Sequence, residues 1–277
     1  MTSALDELSR RHPPVRVDTA GGAIGFRRAG EGRGAPLVLL HGIGSGSGSW
    51  VRQLEALSPV RDVLAWDAPG YGQSAPVPAP RPSAQDYGQR LWQWLDALGI
   101  EGPVTLVGHS LGAIMAAAAA GLAPDRVSRL VMLSPAQGYG QADAGLRETK
   151  RNDRLAALNT LGPQGMAARR GAAMLSPAAS ADMVAYVQAT MAQVIPAGYT
   201  QATHLLADAD LAGLLRQVRC PALVGCGDAD AITPPAGCEA LARAAGLPFV
   251  SLGPAGHVCA LEAAPAVQAL ITTTDRA

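Results

Sequence analysis

One serine of the chain lies in a glycine-bounded pentapeptide of the kind that presents a nucleophile. The sequence Gly108-His-Ser-Leu-Gly112 follows the apolar run Val104–Val107 and precedes an Ala-rich stretch that favours a helix. In this G-x-S-x-G pattern, a sharp turn between strand and helix exposes the serine hydroxyl at the end of the sheet, and the helix N-terminus favours negative charge beside it. The pattern therefore predicts that Ser110 is a catalytic nucleophile.

A serine hydroxyl is a weak nucleophile and needs a general base to take its proton. His257 follows the last predicted strand, Phe249–Leu252, and lies in a glycine-containing loop, so we expect it to be that base. The other histidines lie in the polar N-terminal stretch, in turn motifs or in a helical segment: His12, His41, His109 and His204. We interpret His41 as a structural hydrogen-bonding residue.

The base in turn needs a carboxylate to orient it. The predicted strand Leu130–Leu133 is followed by Ser134-Pro-Ala-Gln, which offers no acid. The strand Ala222–Gly225 is followed by a loop that contains Asp228 and Asp230. We favour Asp230 and keep Asp228 as the alternative, which gives the chain order of nucleophile, acid and base that this strand–turn–helix design uses.

Negative charge that develops on a substrate carbonyl oxygen needs hydrogen-bond donors. The backbone N–H of Leu111, directly after the nucleophile, is one expected donor. The second is the N–H of Ile43 in His41-Gly-Ile-Gly44, which follows an earlier strand. We expect Gly42 and His109 to contact the substrate as well, since a glycine lets the backbone approach a ligand closely.

Short apolar segments separated by turn residues recur along the chain and predict the strands of a sheet. Several are apolar throughout, which indicates strands buried on both faces of a parallel sheet, while Gly21-Gly22 favours an opening hairpin. The predicted strands are Val15–Asp18, Ala23–Phe26, Leu37–Leu40, Val60–Trp66, Val104–Val107, Leu130–Leu133, Ala222–Gly225 and Phe249–Leu252. Helical patterns at Ala84–Leu98 and Leu111–Leu122 alternate with them, so we predict an α/β fold.

One long interval interrupts this alternation. Residues 136–215 are Ala-rich and helical in pattern, far longer than the dozen or so residues that a crossover helix needs. We predict a helical cap at 136–215 inserted into a core domain formed by 1–135 and 216–277. Met166 and Met174 lie in this interval, and we expect an aliphatic, Met-lined substrate pocket, with ordinary core packing as the alternative interpretation.

The charge balance excludes several classes of partner. The chain has 22 basic and 22 acidic residues and a formal net charge of zero, so it lacks the electrostatic footprint that nucleic acid or anionic membrane would require. The longest apolar run, Leu111–Ala123, is too short to span a bilayer, and the first residues lack a signal-peptide pattern. We expect a cytoplasmic monomer or homodimer that acts on a small molecule.

No metal or cofactor motif is present in the sequence. We find no H-E-x-x-H, no G-x-x-x-x-G-K-[ST], no G-x-G-x-x-G opening a βαβ unit and no Cys/His cluster with ligand spacing. We therefore predict that the protein needs neither metal nor cofactor. The cysteines, which share no C-x-x-C spacing, are expected to be buried free thiols: Cys220, Cys226, Cys238 and Cys259.

Five motifs, taken together and in order, resemble those of the α/β-hydrolase family. They are His41–Gly44, Asp67–Ser74, Gly108–Gly112, Gly227–Asp230 with Pro234, and Gly256-His257 with Glu262 and Pro265. The resemblance implies an eight-stranded, mostly parallel sheet flanked by helices, with a helical cap. Ser110 stands where haloalkane dehalogenases and epoxide hydrolases have Asp, so those activities are not expected.

A looser resemblance links the cap to the 3-oxoadipate enol-lactonase branch, through Gly162–Met166 and Gly198–Ala202. An anionic substrate of that kind would need a cationic anchor. Five arginines of the interval could supply it, although a solvated surface is the simpler interpretation: Arg147, Arg151, Arg154, Arg169 and Arg170.

The residues and the resemblance together predict a serine hydrolase that cleaves a small carboxylic ester or lactone through a Ser-His-Asp triad and an acyl-enzyme. Three alternatives remain open at this point. They are a carbon–carbon bond hydrolase of ring-fission products, a cofactor-free perhydrolase, and a receptor that binds a ligand on the same fold.

Overall fold

The computed structural model describes residues 3–273, which form one sheet with helices packed around it. The strands are β1 (Val15–Val17), β2 (Ile24–Ala29), β3 (Leu37–Leu40), β4 (Val63–Trp66), β5 (Val104–His109), β6 (Val127–Leu133), β7 (Ala222–Cys226) and β8 (Phe249–Ser251). The helices of the sheet-forming segments are α1 (Ala4–Arg11), α2 (Val51–Leu57), α3 (Ala84–Ala97), α4 (Leu111–Leu122), α9 (Pro235–Ala245), α10 (Cys259–Glu262) and α11 (Ala264–Thr272). Between β6 and β7 lie α5 (Ala144–Arg170), α6 (Ala181–Ala192), α7 (Pro196–Asp208) and α8 (Leu211–Leu215).

The sheet has eight strands in the order β1-β2-β4-β3-β5-β6-β7-β8. Strands β1, β2 and β4 pair antiparallel, and the pairs from β4 through β3 to β8 are parallel. The predicted eight-stranded, mostly parallel α/β sheet and its opening hairpin are therefore confirmed.

Two strands begin three residues away from the predicted position. Strand β4 begins at Val63 rather than Val60, because Val60 is 65% exposed in the turn that ends α2. Strand β6 begins at Val127, before the predicted Leu130, and includes the charged Arg129. The Arg129 guanidinium is buried there because it donates hydrogen bonds to the carbonyl oxygens of Leu270 and Ile271 at the end of α11.

The central strands are buried on both faces, as their continuous apolar sequences predicted. All residues of β3 and β4 are inaccessible to solvent. The small side chains of α4 let that helix approach α3 closely: a Cβ on Gly88 would lie 3.0 Å from the backbone nitrogen of Ala119. Trp92 Nε1 donates a 3.0 Å hydrogen bond to the Ala119 carbonyl and joins the two helices.

Because β3, β5, β6, β7 and β8 run parallel, the loops that follow them meet at one edge of the sheet. Backbone hydrogen bonds hold these loops to one another. The Ser110 N–H donates to the Leu133 carbonyl, the Ser134 N–H to the Gly225 carbonyl and the Asp228 N–H to the Gly253 carbonyl. Every loop that carries a predicted catalytic residue is thus tied to a neighbouring strand or loop.

Residues 136–215 contain helices and connecting turns and no strand, as their sequence predicted. Helix α5 is interrupted by a kink at Gly162, where φ is 62° and ψ is 177°. Helix α7 contacts the turn after β4 through two glycines, since a Cβ on Gly198 would lie only 1.9 Å from the Gly70 carbonyl oxygen. The division into a core and a separate cap domain remains a prediction.

Across residues 3–273, none of the helices combines the length and the apolar character needed to cross a membrane.

Candidate active site

Ser110, the predicted nucleophile, has a strained backbone. Its φ of 52° and ψ of −117° fall in a region that L-residues rarely adopt. The neighbouring glycines make this turn sterically feasible, since a Cβ on Gly108 would lie 2.5 Å from Ala113 Cα and one on Gly112 would lie 2.2 Å from the Leu40 carbonyl oxygen. The pattern that singled out Ser110 thus corresponds to a tight turn between β5 and α4.

Asp230 and His257 form a buried pair. Nδ1 of His257 lies 2.9 Å from Oδ2 of Asp230, with side-chain exposures of 2% and 0%. A carboxylate only accepts hydrogen bonds, so Nδ1 carries the hydrogen and Nε2 of a neutral ring is left to accept one. The pair therefore has the orientation and the tautomer that a general base requires.

The second oxygen of the Asp230 carboxylate is held by the turn that follows it. Oδ1 accepts hydrogen bonds from the N–H groups of Ile232 (2.8 Å) and Thr233 (2.9 Å). Burial by itself raises the pKa of the Asp230 carboxyl, but the hydrogen bond and the charge interaction with His257 and the Thr233 N–H outweigh it and lower the pKa below its ordinary value. Asp230 is therefore ionised at neutral pH.

The hydroxyl of Thr233 is part of this arrangement, although its sequence position did not single it out. Thr233 Oγ1 lies 2.9 Å from Asp230 Oδ2, 3.0 Å from the Ser134 carbonyl oxygen and 3.2 Å from His257 Nδ1. A hydroxyl has one hydrogen to donate, so the carboxylate and the carbonyl compete for it. The only available signal was its position three residues after the acid, in an Asx-type turn.

Asp228, the alternative acid, does not contact His257. Its exposed carboxylate accepts a 2.6 Å hydrogen bond from Ser251 Oγ at the end of β8. The geometry therefore favours Asp230 over Asp228 as the partner of His257.

His109 packs against His257, the predicted base. The two imidazole ring centroids lie 4.7 Å apart, and His109 Nε2 lies 2.7 Å from the His257 carbonyl oxygen. Burial lowers the pKa of His109 to about 3, so the ring is neutral and its Nε2–H donates to that carbonyl. His109 lines the cavity, as predicted for a substrate contact, but its Nε2 is occupied by the His257 loop.

His41 shapes the loop that carries the second expected oxyanion donor. Its Nε2 accepts a 3.0 Å hydrogen bond from the Ala68 N–H, and its Nδ1 donates to the Gly42 carbonyl oxygen at 2.8 Å. Burial lowers the pKa of His41, which keeps the ring in the neutral form that these two bonds require. His41 therefore makes the structural contacts expected of it.

The two predicted oxyanion donors lie at the same cavity as Ser110 or directly beside it. Ile43 lines that cavity, and Leu111 is the first residue of α4, where an N–H has no acceptor within the helix. Gly42 packs against Ser110, since a Cβ there would lie 2.9 Å from Ser110 Cβ. This close packing places the loop after β3 next to the tight turn between β5 and α4.

A cavity of about 270 Å³ contains Ser110 and His257 in its wall. Met166, Met174 and Met191 line it, in agreement with the expected methionine lining. The expectation of an aliphatic pocket is wrong, because three tyrosines also line the cavity: Tyr139, Tyr186 and Tyr199. Tyrosines distant in sequence converge here from α6, α7 and the turn before α5.

All four cysteines are free. Cys226 and Cys259 are buried with their sulfurs 3.8 Å and 4.0 Å from Ser134 Oγ, behind the Asp230 loop. Cys238 is also buried, whereas Cys220 is only partly buried, which corrects the expectation that all four would be core thiols. Cys220 lies two residues before β7, next to the exposed Pro221.

Two of the five arginines considered as anion anchors, Arg154 and Arg170, line the cavity. Arg151 instead pairs with carboxylates on the helical surface, and Arg169 is exposed. Among residues 3–273, no cluster of three or more His, Cys, Asp or Glu side chains is placed to hold a metal ion.

Comparison with known proteins identifies relatives of differing length. The dihydrolipoyllysine-residue acetyltransferase component of the acetoin cleaving system of Pseudomonas putida is 39% identical over 120 residues, which are 43% of this chain and 31% of that protein. The chain thus aligns with about a third of the length of that relative.

Solved structures match nearly the whole chain. A thermophilic esterase from Thermogutta terrifontis superimposes with a TM-score of 0.83 at 26% identity, over 95% of this chain and 98% of that one. The enol-lactonase from Burkholderia xenovorans LB400 gives 0.80 at 24% identity, over 94% and 98%, which establishes a shared fold. A model of the alpha/beta hydrolase fold matches residues 35–264, and the chain belongs to the α/β-hydrolase fold family.

Proposed function

We propose that this protein is a serine hydrolase that cleaves a small carboxylic ester or lactone through an acyl-enzyme. The observation that supports this most directly is the buried 2.9 Å contact between Asp230 and His257 at the wall of the cavity that contains Ser110. An oriented imidazole beside a serine on a strained turn is the arrangement that acyl transfer requires.

In the first half of the proposed reaction, Ser110 Oγ attacks the carbonyl carbon while His257 Nε2 takes the hydroxyl proton. The N–H groups of Ile43 and Leu111 hold the oxyanion of the tetrahedral intermediate, and each such donor is typically worth about 2.7–4 kcal/mol in the transition state. When the intermediate collapses, the bond to the leaving oxygen breaks and His257 returns the proton to that oxygen. The acyl group stays on Ser110.

In the second half, a water molecule attacks the acyl-enzyme and gives its proton to His257. Collapse of this intermediate releases the carboxylic acid and returns the proton to Ser110 Oγ. The Asp230 carboxylate stabilises the imidazolium in both halves, and its low pKa keeps it from taking the proton itself. Asp230 is therefore proposed to orient and stabilise His257.

The dimensions of the cavity favour a small substrate. Its volume of about 270 Å³ lies slightly below the roughly 300–1,000 Å³ common for small-molecule sites. The similarity to an esterase of 26% identity over nearly the whole chain supports ester cleavage.

The proposal is tested with 4-nitrophenyl acetate and butyrate on the wild type and on Ser110→Ala. We expect the alanine variant to fold normally, as judged by circular dichroism, and to lose hydrolysis. Activity at a tenth of the wild-type rate or more would show that Ser110 is not the nucleophile. A panel that adds a lactone and a ring-fission dienone separates the reaction classes, since turnover of the dienone without turnover of the esters would favour carbon–carbon bond cleavage.

A further inference from the structure

The cavity that contains Ser110 also contains two guanidinium groups. Arg154 and Arg170 line it, and neither makes an ion pair or a side-chain hydrogen bond with another residue of the described range 3–273. The Nε–H of Arg154 is buried without an acceptor. A guanidinium carries five N–H donors and stays charged, so a buried donor without a partner costs free energy until a ligand supplies an acceptor.

The cavity offers these arginines no compensating charge. None of the described residues that line it is an Asp or a Glu. The two histidines of its wall add no negative charge, and the Asp230 carboxylate is occupied by His257 and the Thr233 turn. The chain as a whole has no net charge, yet this cavity carries a local excess of positive charge.

Arg151, on the same helix, has carboxylate partners, unlike Arg154 and Arg170. Arg151 lies 4.0 Å from Glu148 and 3.8 Å from Asp208, and Arg81 lies 3.0 Å from the same Asp208. The carboxylates of this region therefore pair with Arg151 and Arg81, outside the cavity lining. Pairing with carboxylates accounts for Arg151 and leaves Arg154 and Arg170 without a charged partner among the described residues.

The kink of α5 explains how two arginines so far apart along one helix reach a single cavity. Arg154 precedes Gly162 and Arg170 ends the helix, and the chain changes direction between them at φ 62° and ψ 177°. A straight helix between these positions would be about 24 Å long at 1.5 Å per residue, too long for both side chains to meet one small ligand. The kink shortens that separation.

From these contacts we propose that the substrate carries a free carboxylate, which Arg154 and Arg170 bind while the ester or lactone carbonyl lies at Ser110. The inference rests on the proposed hydrolysis and adds the charge of the substrate to it. Arginine suits this task because its planar fork binds a carboxylate through two parallel hydrogen bonds.

The test compares esters that differ in one charged group. The mono-4-nitrophenyl ester of succinic acid and 4-nitrophenyl butyrate have acyl chains of equal length, one ending in a carboxylate and the other in a methyl group. A second pair, 4-acetoxybenzoate and phenyl acetate, places the charge on the alcohol side. In at least one pair we expect the wild type to favour the charged ester in kcat/KM by at least tenfold.

The variants Arg154→Gln and Arg170→Gln assign that preference to the two side chains. We expect each to lower the ratio of charged to neutral kcat/KM by about 10- to 100-fold, the range for losing a hydrogen bond to a charged group. Arg169→Gln is the matched control, because Arg169 is exposed and lies outside the cavity lining. A wild-type ratio near one in both pairs, or an equal loss in the Arg169 variant, overturns the inference.

The failure of the proposed hydrolysis gives a different result. In that case the wild type hydrolyses none of the four esters, or hydrolysis survives Ser110→Ala. Calorimetric titration of Ser110→Ala with succinate then tests the arginines alone. Binding that is lost on adding Arg154→Gln supports the anion site, and the absence of succinate binding overturns it.

Discussion

The carbonyl oxygen of His257 accepts a 2.7 Å hydrogen bond from Nε2 of His109, the residue that directly precedes Ser110. A side chain next to the tight turn between β5 and α4 thereby holds the loop that carries the proposed base. The position of His257 is thus fixed from two directions, by Asp230 at the ring and by His109 at the backbone.

We predict that His109→Phe lowers both stability and kcat. The phenyl ring fills most of the space but leaves the buried His257 carbonyl without its donor, which costs about 1–3 kcal/mol. The free energy of unfolding from urea denaturation measures the first effect, and nitrophenyl butyrate hydrolysis measures the second. An unchanged kcat would show that this hydrogen bond does not position the base.

The hydroxyl of Thr233 is predicted to orient the Asp230 carboxylate. Thr233→Val keeps the shape and removes the donor, so we expect kcat to fall by about tenfold or more, in line with about 1.5–3 kcal/mol for a hydrogen bond to a charged group. Thr233→Ser retains the hydroxyl and should restore most of kcat, with KM similar in both variants. Equal losses in the Val and Ser variants would instead indicate packing by the methyl group.

Substitutions of Asp230 and of Asp228 are predicted to have very different effects on kcat. Asp230→Asn removes the carboxylate that holds His257, and we expect kcat to fall by about four orders of magnitude, as for the loss of the acid in other triads. Asp228→Asn changes an exposed carboxylate bound to Ser251 and should leave kcat within about twofold. The comparison fails if Asp228→Asn is the more damaging substitution.

The low pKa of Asp230 also predicts a pH dependence of stability. The pKa is lower in the folded than in the unfolded state, so the unfolded state binds a proton first as the pH falls. The contribution of the Asp230 carboxylate to the free energy of unfolding is complete above the ordinary carboxyl pKa of about 4. It is lost as the pH falls toward the pKa of Asp230 in the folded state. Urea denaturation of Asp230→Asn between pH 3 and 7 should therefore show a weaker pH dependence than that of Asp228→Asn.

Gly112 is predicted to tolerate no side chain. A Cβ there would lie 2.2 Å from the Leu40 carbonyl oxygen, so Gly112→Ala forces backbone shifts that cost about 1–3 kcal/mol. Gly102→Ala is the control, since a Cβ at Gly102 meets no atom within 4 Å and alanine should be neutral or stabilising by about 0.4–1 kcal/mol. Thermal unfolding of the two variants checks the difference.

The kink of α5 leads to a prediction about the preference for charged esters. A Cβ at Gly162 would meet no atom within 4 Å, so Gly162→Ala lowers stability only through backbone strain. That strain costs about 1–3 kcal/mol, because this backbone region is essentially restricted to glycine. If the helix straightens to relieve that strain, Arg154 and Arg170 separate and the preference for charged esters falls. Retention of that preference together with the stability loss would show that the kink persists.

The strands could be predicted from sequence because buried parallel strands are apolar throughout, as in Leu37–Leu40. The start of β6 was missed because Arg129 is charged, and the carbonyls that accept its hydrogen bonds lie at the end of α11, far along the chain. Ser110 and His257, the proposed nucleophile and base, stood out through turn glycines and residue chemistry. Thr233 did not, because a hydroxyl in a turn has many ordinary roles and only the fold brings it to Asp230.

The pocket walls were the least predictable part. Tyr139, Tyr186 and Tyr199 are far apart in sequence, and no periodicity indicates that they share a cavity. The arginines of α5 look like an ordinary solvated helix face until the backbone turn at Gly162 is known. A change of chain direction inside a helical segment cannot be predicted from the periodicity of apolar and polar residues, because that periodicity assumes a straight helix.

The contact between Gly70 and Gly198 has a consequence for how rigid the pocket is. Two peptide backbones touch there without an intervening side chain, so no rotamer change can alter the spacing between α7 and the turn after β4. Tyr199, the next residue, forms part of the cavity wall. The width of the pocket on this side is therefore determined by main-chain geometry, whereas the methionines that line the cavity have flexible side chains that can adjust to a ligand.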